Sequence, residues 1–182
     1  MKTLRVMLAV AASAVTVGTM APAYSTDVHD FDFLVGHWKV HNRVLKGRLV
    51  GSHEWMEFDQ TLDCRLLMGG MANERDSVFM KPGGAYPGLG LAIYDAKAGR
   101  WLNWGIDGRN PSTSIDPPNI GHFENGIGTF YDDEMIGGRP VRVRVMWSHD
   151  SPGTARWEQA FSADGGKTWE TNWIGDFTRD GK

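Results

Sequence analysis

The sequence has one cysteine, no long apolar run after its first residues and no stripe of basic side chains. With Cys64 alone, no internal disulfide can form, so an apolar core must hold the fold together. The formal net charge is −3, and without a basic stripe nucleic acid is not an expected partner. Long stretches with helical periodicity and caps are also missing after residue 23, which disfavours a helical fold.

The first residues have the pattern of a signal peptide. Lys2 and Arg5 precede an apolar core over 6–17, which is too short to span a membrane, and Ala21-Pro22-Ala23 is a small-residue cleavage site. We therefore predict a signal peptide over 1–23 and a mature chain over 24–182, with no membrane span in the mature chain. Its length suits a single domain, and the leader predicts a periplasmic or secreted protein.

The rest of the sequence predicts many short strands. It contains 23 glycines, eight tryptophans and eight phenylalanines, and alternating apolar and polar residues are divided by Gly, Pro, Asp and Asn. We predict one short helical turn within 30–35. Strands are predicted near 36–45, 53–65, 72–80, 88–95, 100–107, 120–124, 127–132, 140–148, 155–162 and 168–178. This sequential pattern favours a single antiparallel up-and-down β-barrel of eight to ten strands, with a flat sandwich as the alternative.

Irregular segments and strand faces indicate where a ligand would bind. The Gly- and Pro-rich stretches 81–88 and 108–119 are predicted loops at the barrel rims. Alternation directs the apolar faces of 141–147, 157–161 and 169–177 inward, including Trp169. These aromatic side chains either fill the barrel or wall a pocket, and the sequence leaves both open. The predicted ligand-binding residues are Asn42, Trp104, Asn110, Trp147, Gln159 and Trp173.

A polar group in the third quarter of the chain suggests a catalytic alternative. His122 and Glu124 share one face of a predicted strand, Asp107 ends the predicted strand before it, and Arg109 lies in the loop between the two. If that face looks inward, a His–carboxylate pair could transfer protons while Arg109 holds an anionic substrate. In the structural alternative, the acids cap turns and Arg109 pairs with a neighbouring aspartate.

Metal and cofactor sites are not predicted. His37 and His41 are four residues apart, which on a strand separates them by about 13 Å and places them on the outer face. The segment 162–169 fits the Ser-x-Asp-x-Gly-x-Thr-Trp pattern of an Asp-box. We interpret it as a hairpin device in which Asp164 binds turn amides, because sialidases repeat the motif in much longer chains.

Several motifs together resemble a family of bacterial calycin-like (lipocalin-like) proteins. They comprise 31–40 with its Gly36-His37-Trp38, 69–74, 107–111 with 116–118, 121–131 and 157–179. The resemblance covers nearly the whole mature chain and implies a lipocalin-like barrel, but no particular reaction. By likeness to lipocalins, Gly36 and Trp38 would begin the first strand and Arg179 would cover the Trp38 indole, giving all three a structural role. The chain also resembles nitrobindin-like haem barrels in its Gly-x-Trp, but its last histidine is His149, so haem is not expected.

Three functions are compatible with the sequence. The leading hypothesis is an exported binding protein for a small apolar or aromatic molecule in the barrel interior. The first alternative is a lyase, isomerase or hydratase using the His122, Glu124 and Arg109 cluster, and the second is a structural or interaction module of the envelope. The identity of the ligand and the oligomeric state are left open.

Overall fold

The structure is a computed structural model that describes residues 27–110, 112 and 114–181. The predicted signal peptide lies outside these residues. Ten strands make up the fold: β1 (Gly36–Leu45), β2 (Trp55–Leu67), β3 (Ala72–Lys81), β4 (Gly84–Asp95), β5 (Arg100–Asp107), β6 (Asn119–Glu124), β7 (Ile127–Ile136), β8 (Arg139–Ser151), β9 (Thr154–Ser162) and β10 (Glu170–Arg179). In the described part of the chain, no helix is long and apolar enough to cross a membrane.

The ten strands form one closed antiparallel barrel. Each strand pairs with its neighbours in sequence, and β1 closes the ring by pairing with β10 as well as β2. Trp38 lies opposite Arg179 at one end of the closing seam, and Val44 lies opposite Trp173 towards the other. The predicted all-β, up-and-down barrel is therefore confirmed, with ten strands.

The predicted loop over 81–88 is wrong. Strand β3 continues to Lys81 and β4 begins at Gly84, so Pro82 and Gly83 alone connect them. Proline fixes its own φ, and Gly83 adopts φ +97°, a conformation that favours glycine. Together the two residues make a tight turn, so no longer loop is required between the strands. Residues assigned from the sequence to a rim loop, Tyr86 among them, thus belong to the barrel wall.

The second predicted loop does connect two strands. Strands β5 and β6 pair only over Trp101–Asn103, and the β5 residues from Trp104 to Asp107 pair with β4 alone. The barrel is consequently least tightly closed beside this connection.

One end of the barrel is plugged by aromatic side chains. A short 3₁₀ turn, Asp32–Leu34, crosses this end, and Phe31 just before it is fully buried. The Phe31 ring meets the rings of Phe123 and Trp101 edge-on, with centroids 4.9 and 5.0 Å apart. The turn is fixed because the Trp38 indole donates a 2.7 Å hydrogen bond to the Leu34 carbonyl. This half of the interior is a solid core.

Arg179 stabilises the plugged end of the barrel through several contacts. Its guanidinium lies 4.2 Å from the centre of the Trp38 ring. It also donates hydrogen bonds of 2.7 to 2.9 Å to the carbonyl oxygens of Val35, Phe33 and Pro152. Gly36 permits this contact, because a Cβ there would lie 2.6 Å from Arg179 Nη1. One side chain thus joins the last strand to the turn and to the β8–β9 connection.

The inward placement predicted for Trp169 is wrong. A β-bulge between Thr171 and Trp173 shifts the register of β10 against β9, so residues before and after it do not share a face. Trp169 packs outside, with the Arg144 guanidinium 4.5 Å from its ring centre. Trp173 points into the barrel and Asn172 is fully buried.

Candidate functional site: a cavity in the open half of the barrel

A cavity of about 800 Å³ occupies the half of the barrel opposite the plug. It exists because inward positions on β4 and β5 are glycine. A Cβ on Gly88 would lie 2.5 Å from the Phe79 ring, and one on Gly90 would lie 2.6 Å from Arg75 Nε, whereas one on Gly105 would meet no atom within 4 Å. These glycines let neighbouring side chains lie flat along the wall, which leaves the centre of this half empty.

Aromatic rings form much of the cavity wall. Phe79 and Tyr86 stack with centroids 5.0 Å apart, and Trp157 meets Trp173 edge-on at 5.3 Å. Phe177 and Trp147 line the cavity towards the plug. Such walls suit a flat or bulky apolar body, because stacked and edge-on ring contacts add to the burial of apolar area.

A chain of hydrogen bonds fixes the polar side chains of one wall. The Trp173 indole donates to Asn42 Oδ1 at 2.7 Å, and Asn42 Nδ2 donates to Gln60 Oε1 at 3.0 Å. Gln60 Nε2 then donates to Ser77 Oγ at 3.0 Å. Because each group is held by the next, the positions of these polar atoms are set before any ligand enters.

Arg75 lies at the base of the cavity. Its side chain is buried, with only 4% of the residue accessible, and Nη2 donates a 2.5 Å hydrogen bond to Asn103 Oδ1. The guanidinium lies 5.7 Å from the ring centre of Phe31 and 5.6 Å from that of Trp147. Burial lowers the pKa of Arg75 to about 10, so the group remains a cation at neutral pH.

Cationic groups also stand at the mouth. The Lys81 ammonium lies 4.7 Å from the Phe58 ring centre and 5.4 Å from those of Tyr86 and Trp173. The Arg109 guanidinium lies 3.8 Å from the Tyr86 ring centre and binds both carboxylate oxygens of Asp107. The bond from Arg109 lowers the pKa of Asp107, while burial lowers the pKa of Lys81. Aromatic faces and cations therefore alternate around this part of the entrance.

Acidic groups occupy the opposite side of the mouth. Asp132 and Glu134 lie on inward positions of β7, across from Val143 and Val141 of β8. Desolvation raises the pKa of both groups, and the negative charge of Asp116 raises each further. The β7 side of the entrance thus carries acids, whereas the β3 side carries Lys81, which has no carboxylate partner among the described residues, and Arg109 beside Tyr86 is paired with Asp107.

All six predicted ligand-binding residues border this cavity. They are Asn42, Trp104, Asn110, Trp147, Gln159 and Trp173. Trp104 differs from the others, since alternation with the buried Asn103 puts its side chain on the outer face of β5. It borders the cavity only where β5 and β6 separate.

The predicted catalytic cluster is not brought together. Asp107 lines the mouth and pairs with Arg109, as in the structural alternative drawn from the sequence. On β6, Gly121 and Phe123 are the buried inward residues, so His122 and Glu124 lie on the outer face. The condition of the acid–base hypothesis, an inward His–Glu face, is therefore not met.

Histidines do not reach the cavity in the part of the chain that is described. His41 is exposed and bonds Asp59 and Glu57 on the outside, while His149 stacks on Phe33 beside the plug. Within residues 27–110, 112 and 114–181, no group of three or more His, Cys, Asp or Glu side chains could hold a metal ion.

Sequence reasoning missed the polar residues of β2 and β3. Gln60, Ser77, Arg75 and Lys81 all face inward, and none was predicted as a site residue. Arg75 stands between Glu74 and Asp76, which is typical of a solvated strand face. The available signal was the alternation of β2, whose Phe58, Gln60 and Leu62 are inward, combined with a register that only the fold supplies.

Comparisons with known proteins agree with this architecture. No protein-family model matches the chain, and no curated protein matches it by sequence. Among solved structures, the S-type phycobiliprotein lyase CpeS from Guillardia theta is similar over 84% of this chain and 91% of its own, with a TM-score of 0.53 and 11% identity. The protein EF1p2_mFAP2b, bound to DFHBI, covers 84% of this chain and 98% of its own, with a TM-score of 0.42 and 12% identity. The likeness to CpeS shows the fold.

Proposed function

We propose that this protein is an exported binding protein for a small molecule with an aromatic or otherwise apolar body, held in the open half of the barrel. The observation that carries the proposal is the cavity of about 800 Å³ walled by aromatic rings and fixed amides. Its volume is within the range of about 300 to 1,000 Å³ typical of small-molecule sites. A barrel that served only as a rigid module would gain stability by filling this space.

The wall chemistry supports binding of a ligand that is mainly apolar with a few polar points. Phe79, Tyr86, Trp157 and Trp173 offer ring surface, whereas the chain from Trp173 to Ser77 offers prepositioned amide and hydroxyl groups. Gln159 Oε1 is buried and has no hydrogen-bond partner among the described residues. A ligand hydroxyl or amine could satisfy it.

Binding is favoured over the catalytic alternative by the positions of the candidate acid and base. His122 and Glu124 project from the outer face of β6, so a substrate in the cavity would not meet them. The interior groups that would meet it are aromatic rings, amides and a buried guanidinium, with carboxyl groups such as Asp132 and Glu134 towards the mouth and no histidine among the described lining residues.

A cavity-filling substitution tests the proposal. Gly105→Trp adds a side chain where no atom lies within 4 Å of the new Cβ and should occupy the cavity. Val78→Trp adds the same ring to an exposed outer position of β3 and is the matched control. In titrations with the neutral fluorophore phenylnaphthylamine, the wild type and Val78→Trp should bind with similar affinity, whereas Gly105→Trp should lose binding. Equal binding by both variants would place the probe outside the barrel and refute the proposal.

Export has its own test, and it rests on the sequence pattern of residues 1–23. The protein expressed in a bacterial host should appear in the periplasmic or secreted fraction, with an intact mass corresponding to a chain beginning near Tyr24. The same preparation, analysed by native mass spectrometry, should show a retained small molecule that organic extraction removes. A full-length mass in the cell interior would contradict export without affecting the binding test.

A further inference from the structure

Arg75 is a buried cation without an anionic partner. No carboxylate oxygen in the described part of the chain forms an ion pair with it, and its one hydrogen bond goes to the neutral Asn103 amide. Arg75 Nε is buried without a partner among the described residues. Buried charges in proteins are normally paired, because removing an ion from water is costly.

Neighbouring groups do not neutralise this cation. Cys64 lies directly across from Arg75 on β2, but burial raises the pKa of its thiol to about 11, so it is uncharged at neutral pH. The ring faces of Phe31 and Trp147 compensate part of the charge, but they carry no negative charge and form no ion pair with the guanidinium. None of the described acids that line the cavity forms an ion pair with Arg75, and Asp107 is already bound by Arg109; these acids are Asp107, Asp116, Asp132, Asp133 and Glu134.

The surroundings of Arg75 are open to a ligand and rich in donors. Its side chain lines the cavity. It packs against Gly90 of β4, where a Cβ would lie 2.6 Å from Arg75 Nε, and Gly105, paired with Gly90, leaves open space beside it. The Trp147 indole Nε1 is another buried donor without a partner among the described residues. Two side chains that line the cavity, Arg75 and Trp147, thus each carry a donor without a partner among the described residues, and the Arg75 guanidinium lies 5.6 Å from the Trp147 ring centre.

We infer that the cavity accepts an amphipathic ligand carrying one oxyanion, a carboxylate or sulfonate, which binds Arg75 at the base while the apolar body lies against Tyr86 and Trp173. The inference rests on the proposed function and adds the charge and orientation of the ligand. A guanidinium suits this role because its planar N–H groups match the oxygens of such an anion, and the pair is strong where water is excluded.

Two fluorophores that differ by one charged group test this inference. Anilinonaphthalene sulfonate carries the rings of phenylnaphthylamine plus one sulfonate. Arg75→Met should weaken sulfonate binding by roughly tenfold or more, the loss expected for a charge-assisted hydrogen bond, and leave the affinity for the neutral probe within about threefold. Arg65→Met removes the same charge from an exposed outer position of β2 and should leave both affinities unchanged.

Two further variants locate the anion. Gly90→Ala keeps the charge but adds a Cβ that would lie 2.6 Å from Arg75 Nε, so it should displace the guanidinium and weaken the sulfonate probe selectively. If circular dichroism shows that Arg75→Met does not fold, Gly90→Ala serves as the test of the Arg75 site in its place. Lys81→Met removes the cation at the mouth and should have the smaller effect. A selective loss with Lys81→Met but not with Arg75→Met would overturn the placement.

The remaining outcomes separate this inference from the proposed function. If both probes bind the wild type, Gly105→Trp excludes both, and Arg75→Met changes neither or weakens both equally, the cavity binds ligands without using Arg75 and the inference is wrong. If neither probe binds the wild type, or if Gly105→Trp binds both as well as the wild type does, the proposed function fails, and the inference that rests on it fails too.

Discussion

Replacing Arg75 with methionine should make the ligand-free protein more stable. The wild type buries a guanidinium that has one neutral hydrogen-bond partner, Asn103, in the described residues. Methionine has a similar length, no charge and a flexible thioether that packs well against the Phe31 and Trp147 rings. A site arranged for a missing anion should gain stability when its cation is removed.

The expected gain in unfolding free energy is the cost of burying the Arg75 cation minus the value of the hydrogen bond that the substitution removes. Burial lowers the pKa of Arg75 from 12.5 to about 10. One pKa unit corresponds to about 1.4 kcal/mol, so burying the charged form of the guanidinium costs about 3 kcal/mol of folding free energy. Loss of this charge-assisted bond leaves the buried Asn103 Oδ1 without its donor and costs about 2 kcal/mol. The net expectation is a gain of about 1 kcal/mol, or a rise in Tm of roughly 2 to 4 °C for a domain of this size.

Denaturant unfolding at pH 7 measures the effect. The protein must first be unfolded and refolded through denaturant to remove any retained ligand, and native mass spectrometry should confirm that none remains. The midpoint should then rise for Arg75→Met at an unchanged denaturant slope. The outward variant Arg65→Met is the control and should change stability by less than about 1 kcal/mol, as exposed ion pairs do.

A lower stability of Arg75→Met than of the wild type would refute this reasoning. It would mean that the guanidinium is compensated within the folded protein and is a structural group. A saturating concentration of the sulfonate probe supplies a second readout, because a ligand that binds only the folded state raises its stability. The probe should stabilise the wild type more than Arg75→Met, so that the gap between the two proteins narrows.

Three further predictions concern the plug, the β9–β10 turn and the outer face. Arg179→Met removes three hydrogen bonds to backbone carbonyls and should lower the unfolding free energy by about 2 kcal/mol, measured in urea, since the group is partly exposed. A result equal to wild type would show that the plug holds without it. Asp164 accepts hydrogen bonds from the Thr168 amide and hydroxyl, which hold its pKa well below the usual range. Stability from the ionised group is therefore complete above about pH 4 and is lost as the pH falls towards the folded-state pKa. Asp164→Asn should be less stable than the wild type at pH 7, with the difference shrinking on acidification in thermal melts, and a constant difference would contradict the assignment. His122→Ala and Glu124→Gln should leave the affinity for phenylnaphthylamine unchanged, and a loss with either would require a path from the outer face of β6 to the cavity.

The sequence alone was sufficient for the class of fold and for nearly all strand positions. Alternation and turn residues act over a few positions, so they mark strands and hairpins without any tertiary information. They failed where backbone geometry changes within a few residues. Pro82 and Gly83 shorten a predicted loop to two residues, and the bulge after Thr171 sends Trp169 outside. Pro82-Gly83 is a turn signal, but Gly84, Pro87 and Gly88 just after it made the whole stretch resemble a loop. The bulge leaves no distinct local pattern.

The site was only partly accessible from the sequence. Asn42, Trp147, Gln159 and Trp173 line the cavity, and each belongs to a strand with a clear alternation that could be assigned inward. Arg75 could not be assigned, because the charged neighbours Glu74 and Asp76 make its segment look solvated. Its burial depends on pairing with β2 and β4, and pairing is a property of the closed barrel.

What the sequence determined is therefore the all-β class, the succession of strands and turns, and an aromatic interior, since these follow from local periodicity and composition. The tertiary structure decided whether that interior is filled or hollow. Bulky rings converge around Phe31 at one end, whereas facing glycines on β4 and β5 leave space at the other. It also decided the sides of the wall on which the charges lie, placing Arg75 inside and His122 outside. Both outcomes depend on which residues meet across the ring of strands, and no segment carries that information by itself.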